Sequence, residues 1–158
     1  MSRITDWHGL ETEIATYFKA LQRAYPIFFH RFADSRAAGN LIGDQPSDFL
    51  VAAKGQGMTL LEAKFSEVHD TLRSCFSGAV TANQLASARL AHRAGQRYLI
   101  LFYSSCAGQF ELWPGDYCAG QRSLGQPLKL DRRIIVSGEI GPVLEDHVVC
   151  LPARRKQA

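Results

Sequence analysis

The stretch that most limits how this chain can fold is Tyr98-Leu99-Ile100-Leu101-Phe102-Tyr103, a run with no polar face. Such a run suits a central strand buried on both sides of a sheet. It is far short of the ~20 apolar residues that span a bilayer. A strand covered on both sides needs helices, and their signatures flank it. From about Gly9 to Arg23, Leu10, Ile14, Tyr17, Phe18 and Leu21 recur at the spacing of one buried helical stripe, which Tyr25-Pro26 ends. A second helix is predicted from about Thr81 to Ala94, stopping at Gly95. Between the helices, Pro26–Phe32 reads as a strand. Ala33–Ser47 reads as a Gly- and Asn-containing loop, and Lys54-Gly55-Gln56-Gly57 as the turn of a hairpin joining Asp48–Ala53 to Met58–Phe65. The order α-β-β-β-α-β predicts an α/β domain, a central mixed β-sheet flanked by α-helices.

With 46% apolar residues the chain can bury one ordinary core. Residues 1–158 are therefore expected to form a single domain, with its core about 9–113 and residues 114–158 as an extension. The extension includes a short strand near Arg133–Val136, another near His147–Leu151, and a basic tail at Arg154-Arg155-Lys156. The stretch between the hairpin and the second helix reads as polar connection. The N-terminal residues lack the apolar centre of a secretory signal, so a soluble, cytoplasmic protein with no membrane association is expected. The net charge of +3 permits a polyanionic partner without requiring one. Cys75, Cys106, Cys118 and Cys150 are too widely spaced for a zinc knuckle or redox dithiol, and read as reduced thiols.

The chemistry concentrates on the second hairpin strand. In Leu60-Leu61-Glu62-Ala63-Lys64-Phe65 alternate side chains take opposite faces, so Leu61, Ala63 and Phe65 enter the core while Glu62 and Lys64 share the other face. Burying an acid and a base there is costly unless something pairs with them. The hairpin returns Glu62 toward Asp48, at the start of the preceding strand. Two carboxylates suit a hard cation such as Mg²⁺, and a lysine beside them suits charge neutralisation during phosphodiester hydrolysis. The plainer alternative is a Glu-Lys pair on a solvated edge strand.

Asp48, followed after thirteen residues by Glu62-Ala63-Lys64, resembles the signature of the PD-(D/E)xK nuclease superfamily. Gly9-Leu10-Glu11-Thr12-Glu13 resembles the Gly-x-x-x-Glu that opens the first helix of its Holliday-junction resolvases of the RecU/Hjc type. Ser47-Asp48-Phe49, Leu61-Glu62-Ala63-Lys64 and Gln84 resemble further elements of the RecU-type enzymes. The resemblance covers about Gly9 to Tyr103. It implies a restriction-endonuclease-like core and a metal-dependent, structure-selective endonuclease. Asp48, Glu62 and Glu13 would be the metal-binding carboxylates, Mg²⁺ the cofactor with Mn²⁺ a substitute, and Lys64 and Gln84 catalytic. Glu11 is the reserve for Glu13, since both flank the apolar stripe. The resemblance also implies branched DNA as substrate and a homodimer, because resolving a four-way junction takes two symmetric cuts.

The expected DNA-binding residues are Ser47, Arg31, Arg36, Lys54, Arg73, Arg89 and Arg93, with scattered solvated charges as the alternative for each cation. Trp7 and Trp113 read as packing residues. The Ala33–Ser47 segment is short where RecU-type enzymes carry a longer projection into the junction. A repair or restriction-like duplex nuclease therefore stays open beside the resolvase, as does a catalytically inactive DNA-binding or assembly protein.

Overall fold

A computed structural model describes residues 4–32 and 45–151. Helix α1 (Trp7–Gln22) starts where the Asp6 carboxylate accepts the Gly9 N–H at 2.6 Å, a standard N-cap. Strands β1 (Ile27–Arg31), β2 (Phe49–Ala53) and β3 (Gly57–Ser66) follow, then helices α2 (Leu72–Ala79) and α3 (Ala82–Arg93). Strands β4 (Arg97–Ser104) and β5 (Gln109–Pro114), helix α4 (Gly115–Ser123), a 3-10 turn at Leu130–Arg132 and strand β6 (Ile135–Ser137) come next. A helical segment at Ile140–Pro142 runs on as a π-helical stretch, Val143–Val148.

The six strands form one sheet in sequence order. Among the described residues only β3 and β4 pair in parallel, so the sheet is mixed and the protein α/β. The parallel step follows from the crossover through α2 and α3. Strand β4 is buried on both faces. Its Leu99 and Leu101 join α1 and the C-terminal helical segment in one core, with Leu10, Ile14, Phe18, Leu61 and Leu144. Its Tyr98, Ile100 and Phe102 join α2, α3 and α4 in the other, with Leu72, Leu85, Trp113 and Cys118.

Three expectations are corrected. The polar connection before the second helix contains α2, whose first N–H is bonded by the distant Glu111 carboxylate at 3.0 Å and whose Leu72 and Phe76 are buried. His147–Leu151 is not a strand: Val143, Leu144 and Val148 are buried together in the first core, at a spacing only a helical turn allows. Trp113 is a packing residue as expected, but Trp7 is 45% exposed and stacks on His8. All four cysteines are free. Among the described residues, no helix is long and apolar enough to cross a membrane.

Candidate active site

The site arises because β3 outruns β2. Phe49 pairs with Leu61, where β2 begins, while β3 continues to Ser66 with β4 on its other side. At that step Asp48 takes the place of a neighbouring strand, its Oδ2 accepting the Ala63 N–H at 2.7 Å. The turn carrying Asp48 is held by buried Ser47, whose hydroxyl donates to the Phe49 carbonyl at 2.8 Å. β1 is tied in where the Phe32 N–H donates to the Asp48 carbonyl at 2.9 Å.

Glu62, one residue past the last β2–β3 pair, turns to the α3 face and is 2% exposed. Its Oε1 receives the Lys64 ammonium at 2.8 Å and the side-chain amide of Gln84. Its Oε2 receives the Tyr98 hydroxyl at 3.3 Å. The orientation of Gln84 is fixed from behind by a capping box: its Oε1 accepts the Thr81 N–H at 2.9 Å and its own N–H donates to Thr81 Oγ1 at 3.2 Å. The amide oxygen thus serves the helix, and the NH₂ end is left to face Glu62.

On the α1 side, Glu11 forms an ion pair with Arg31 of β1. Glu11, Asp48, Glu62, Lys64, Arg31 and Gln84 all line one cleft of about 580 Å³, which runs from Trp7 and His8 across the end of β3 to the start of α3.

The charges there are mutually unfavourable. Burial, and then the nearby Asp48 carboxylate, push Glu62 up to about 7 against the opposing pull of Lys64 and the Tyr98 hydroxyl. Burial also raises Asp48, partly offset by the Ala63 N–H, Lys64, a hydrogen bond with Glu62, and Arg31. Glu11 is raised by burial and by Asp48, with Arg31 and His8 opposing. Among the described residues, no three His, Cys, Asp or Glu side chains are gathered closely enough to cage a metal. The donor set at the cleft floor is instead two neighbouring carboxylates whose charge is incompletely compensated. Oxygen donors in that number fit a hard cation that keeps part of its water shell.

The structure therefore brings together Asp48, Glu62, Lys64, Gln84, Ser47 and Arg31. Placing Glu13 in the site is corrected. Two residues apart on a helix lie ~200° apart, and it is Glu11 that faces the cleft, held there by Arg31; Glu13 does not line it. Lys54 does not line the cleft either. It sits in the turn beyond the Ala53–Gly57 pair, four pairs from Phe49–Leu61 and at the opposite end of the hairpin. Arg89 is committed to α4, bonding the Ala119 carbonyl at 3.0 Å and the Ser123 hydroxyl. Arg73 and Arg93 are exposed but do not line the cleft. Arg36 lies outside the described residues. Sequence reasoning missed Tyr98 as a partner of Glu62; the signal was a tyrosine hydroxyl that alternation places on the Ile100–Phe102 face of β4.

Neither a family model nor a curated protein matches the sequence. Among solved structures, the chain is similar to Hjc of Archaeoglobus fulgidus, a Holliday junction resolvase from an archaeal hyperthermophile. The two are 14% identical with a TM-score of 0.43, over 66% of this chain and 72% of that one.

Proposed function

We propose that this chain is a metal-dependent endonuclease that hydrolyses DNA phosphodiester bonds, with branched DNA as its substrate. One arrangement carries the reading: Asp48 and Glu62 side by side on a cleft floor, with Lys64 on Glu62 and the cleft open above them. Asp48 and Glu62 would hold Mg²⁺, or Mn²⁺ in its place, and Glu11 rather than Glu13 would be the third carboxylate nearby. The ion, when bound, supplies Lewis-acid activation of the phosphate and acidifies water at neutral pH.

The chain's own residues supply the rest. Gln84 and Tyr98 fix the two oxygens of Glu62, so that the carboxylate meets its ligand without reorganising. The Lys64 ammonium, within reach of both carboxylates' field, offsets charge that builds on the phosphate. Arg31, at the cleft margin, positions a neighbouring phosphate. Cutting a four-way junction symmetrically takes two such sites, hence a homodimer.

Cleavage of a four-way junction, a linear duplex and single strands, with Mg²⁺ or chelator, tests the reading. The expected result is paired nicks in the junction that need Mg²⁺ and vanish in Asp48→Asn, while that variant still binds. Cutting of every substrate would make this a duplex nuclease. Tight binding without any cut would make it a binding or assembly protein.

A further inference from the structure

The sheet is covered unevenly. The core on the α3 side draws on β3, β4 and β5 and includes no residue of β1 or β2. Over those two strands the α3-side face is bare of packed elements among the described residues. β1 alternates with Ile27 and Phe29 packed toward α1, so Phe28, His30 and Phe32 share the other face. Phe28 is 57% exposed and His30 is exposed, its ring edge-on to Phe32 with centroids 5.1 Å apart.

The register sets these aromatics in rows that lead to the acidic pair. Phe28 is level with Ala52 and Met58, and His30 with Leu50 and Leu60. Phe32 comes next, bonded through its N–H to Asp48 and lining the cleft. Successive rows on one face of a strand are ~6.7 Å apart, close to the rise of an extended, unstacked nucleotide chain. Residues 27–32 and 49–60, which make up β1, β2, the β2–β3 turn and the first rows of β3, contain no Asp or Glu. Lys54 lies in that turn, whereas Arg31 alternates to the α1 face with Ile27 and Phe29 and is paired with Glu11.

We propose that Phe28, His30 and Phe32 form a stacking platform for the unpaired bases of a DNA strand that leads out of the cleft. Phe28, the most exposed of the three, offers its ring to one base, and the edge-on His30–Phe32 pair flanks the next. The acid-free margin accepts the backbone, and the apolar rows of Leu50, Ala52 and Met58 exclude water beneath it. The path of the strand rests on the nuclease reading, while the platform itself is defined by exposure and register. The ligand it selects is single-stranded DNA or the frayed arm of a branch, in preference to a closed duplex.

The test uses a fluorescent dT oligonucleotide and a blunt duplex, with affinities measured by anisotropy in chelator so that no cutting occurs. Phe28→Ala should weaken dT binding about tenfold and duplex binding far less. Phe28→Trp should restore it, whereas Phe28→Leu, which keeps the apolar surface without the ring, should not. An oligonucleotide carrying 5-iodouracil should photocrosslink within residues 28–32. Equal dT affinity in all three variants, or crosslinks elsewhere, overturns the platform. So does sedimentation showing that the patch is buried between two copies of the chain and that Phe28→Ala only dissociates them. Absence of cleavage with the crosslink intact sinks the nuclease reading and leaves the platform standing.

Discussion

Two buried glutamates, Glu62 on β3 and Glu111 on β5, flank the central strand and point to the same face of the sheet, yet their surroundings are opposite. Glu111 is 0% exposed and saturated by the fold: Arg133 at 2.6 Å on one oxygen, the Leu72 N–H at 3.0 Å and the Trp113 indole at 2.9 Å on the other. It caps α2, whose own N-cap Thr71 makes no side-chain cap, and it joins three segments far apart in sequence. Glu62 is equally dry, but it shares its space with Asp48, and its lysine must serve both carboxylates. Desolvation burdens each alike. What separates them is whether the fold supplies the whole counter-charge. At Glu111 it does; at Glu62 it falls short beside an open cleft, which is how a site for an external cation differs from a structural ion pair.

The sharpest break of this comparison is to neutralise each glutamate in turn. Glu62→Gln should lower DNA cleavage about a thousandfold or more, since it removes one of the two carboxylates that would hold the metal. Glu111→Gln should leave the cleft chemistry in place and instead destabilise the protein by about 3–5 kcal/mol, because it strands the Arg133 guanidinium. Urea melts of both variants, beside single-turnover cleavage at low temperature, read the two effects separately. If Glu111→Gln abolished cutting at unchanged stability, the division into structural and functional carboxylates would be wrong.

Why one of these glutamates could be read from sequence and the other could not is itself instructive. Glu62 and Lys64 are two apart on a strand with apolar neighbours, and Asp48 reaches them through a hairpin whose turn contains Gly55 and Gly57 at φ of 80° and 72°. Alternation and local return suffice for that. The mixed sheet followed from the element order α-β-β-β-α-β, with the fully apolar β4 as its buried central strand. Glu111 lies in Gln109–Pro114 among Phe110, Leu112 and Trp113 with no periodic hint of its partner, because Arg133 and Leu72 reach it only after β6 and α2 have docked. Helix α2 was hidden for the same reason: its cap comes from β5. Glu11 and Glu13 flank one apolar stripe, so only the docking of α1 beside Arg31 chooses between them. Tyr98 meets Glu62 through the parallel β3–β4 register, which places Glu62 opposite Ile100, and register across a long crossover is not a local property.

Stability against pH sharpens the contrast further. The carboxyl of Glu62 rises from the ordinary 4.5 to about 7 in the folded, metal-free protein. Between those values the folded state binds more protons than the unfolded one, so stability falls as pH rises through this window. The cost is absent below about 4.5 and complete above about 7, with a ceiling of about 3 kcal/mol from that shift. Glu62→Gln should therefore stabilise the chelated protein by about 1–3 kcal/mol at pH 8, the same substitution that destroys activity. The gain should shrink to nothing toward pH 4.5. Denaturant titrations at a series of pH values check it, and a pH-independent difference would mean that Lys64 and the neighbouring donors compensate Glu62 fully.

The smallest expected effect separates the neutral donors of the two sites. Trp113 serves Glu111 while filling the core, so its bond and its packing cannot be removed independently. Tyr98 allows that separation. Its ring is fixed against Gly115, where an added Cβ would stand 2.6 Å from the tyrosine Cδ1, and only the hydroxyl extends to Glu62. Tyr98→Phe should cost about 1 kcal/mol or less in stability, the usual worth of one such bond. Because that hydroxyl favours the charged form of Glu62, its loss should move the ionisation of Glu62 upward by less than about one pH unit. The acidic limb of the cleavage pH profile should move in the same direction, with the maximal rate little changed. Carbon-13 titration of Glu62 in the metal-free protein provides the second readout. A profile and a titration that both stay where they are in the wild type would reduce Tyr98 to packing alone, and would leave Lys64 and Gln84 as the groups that poise Glu62.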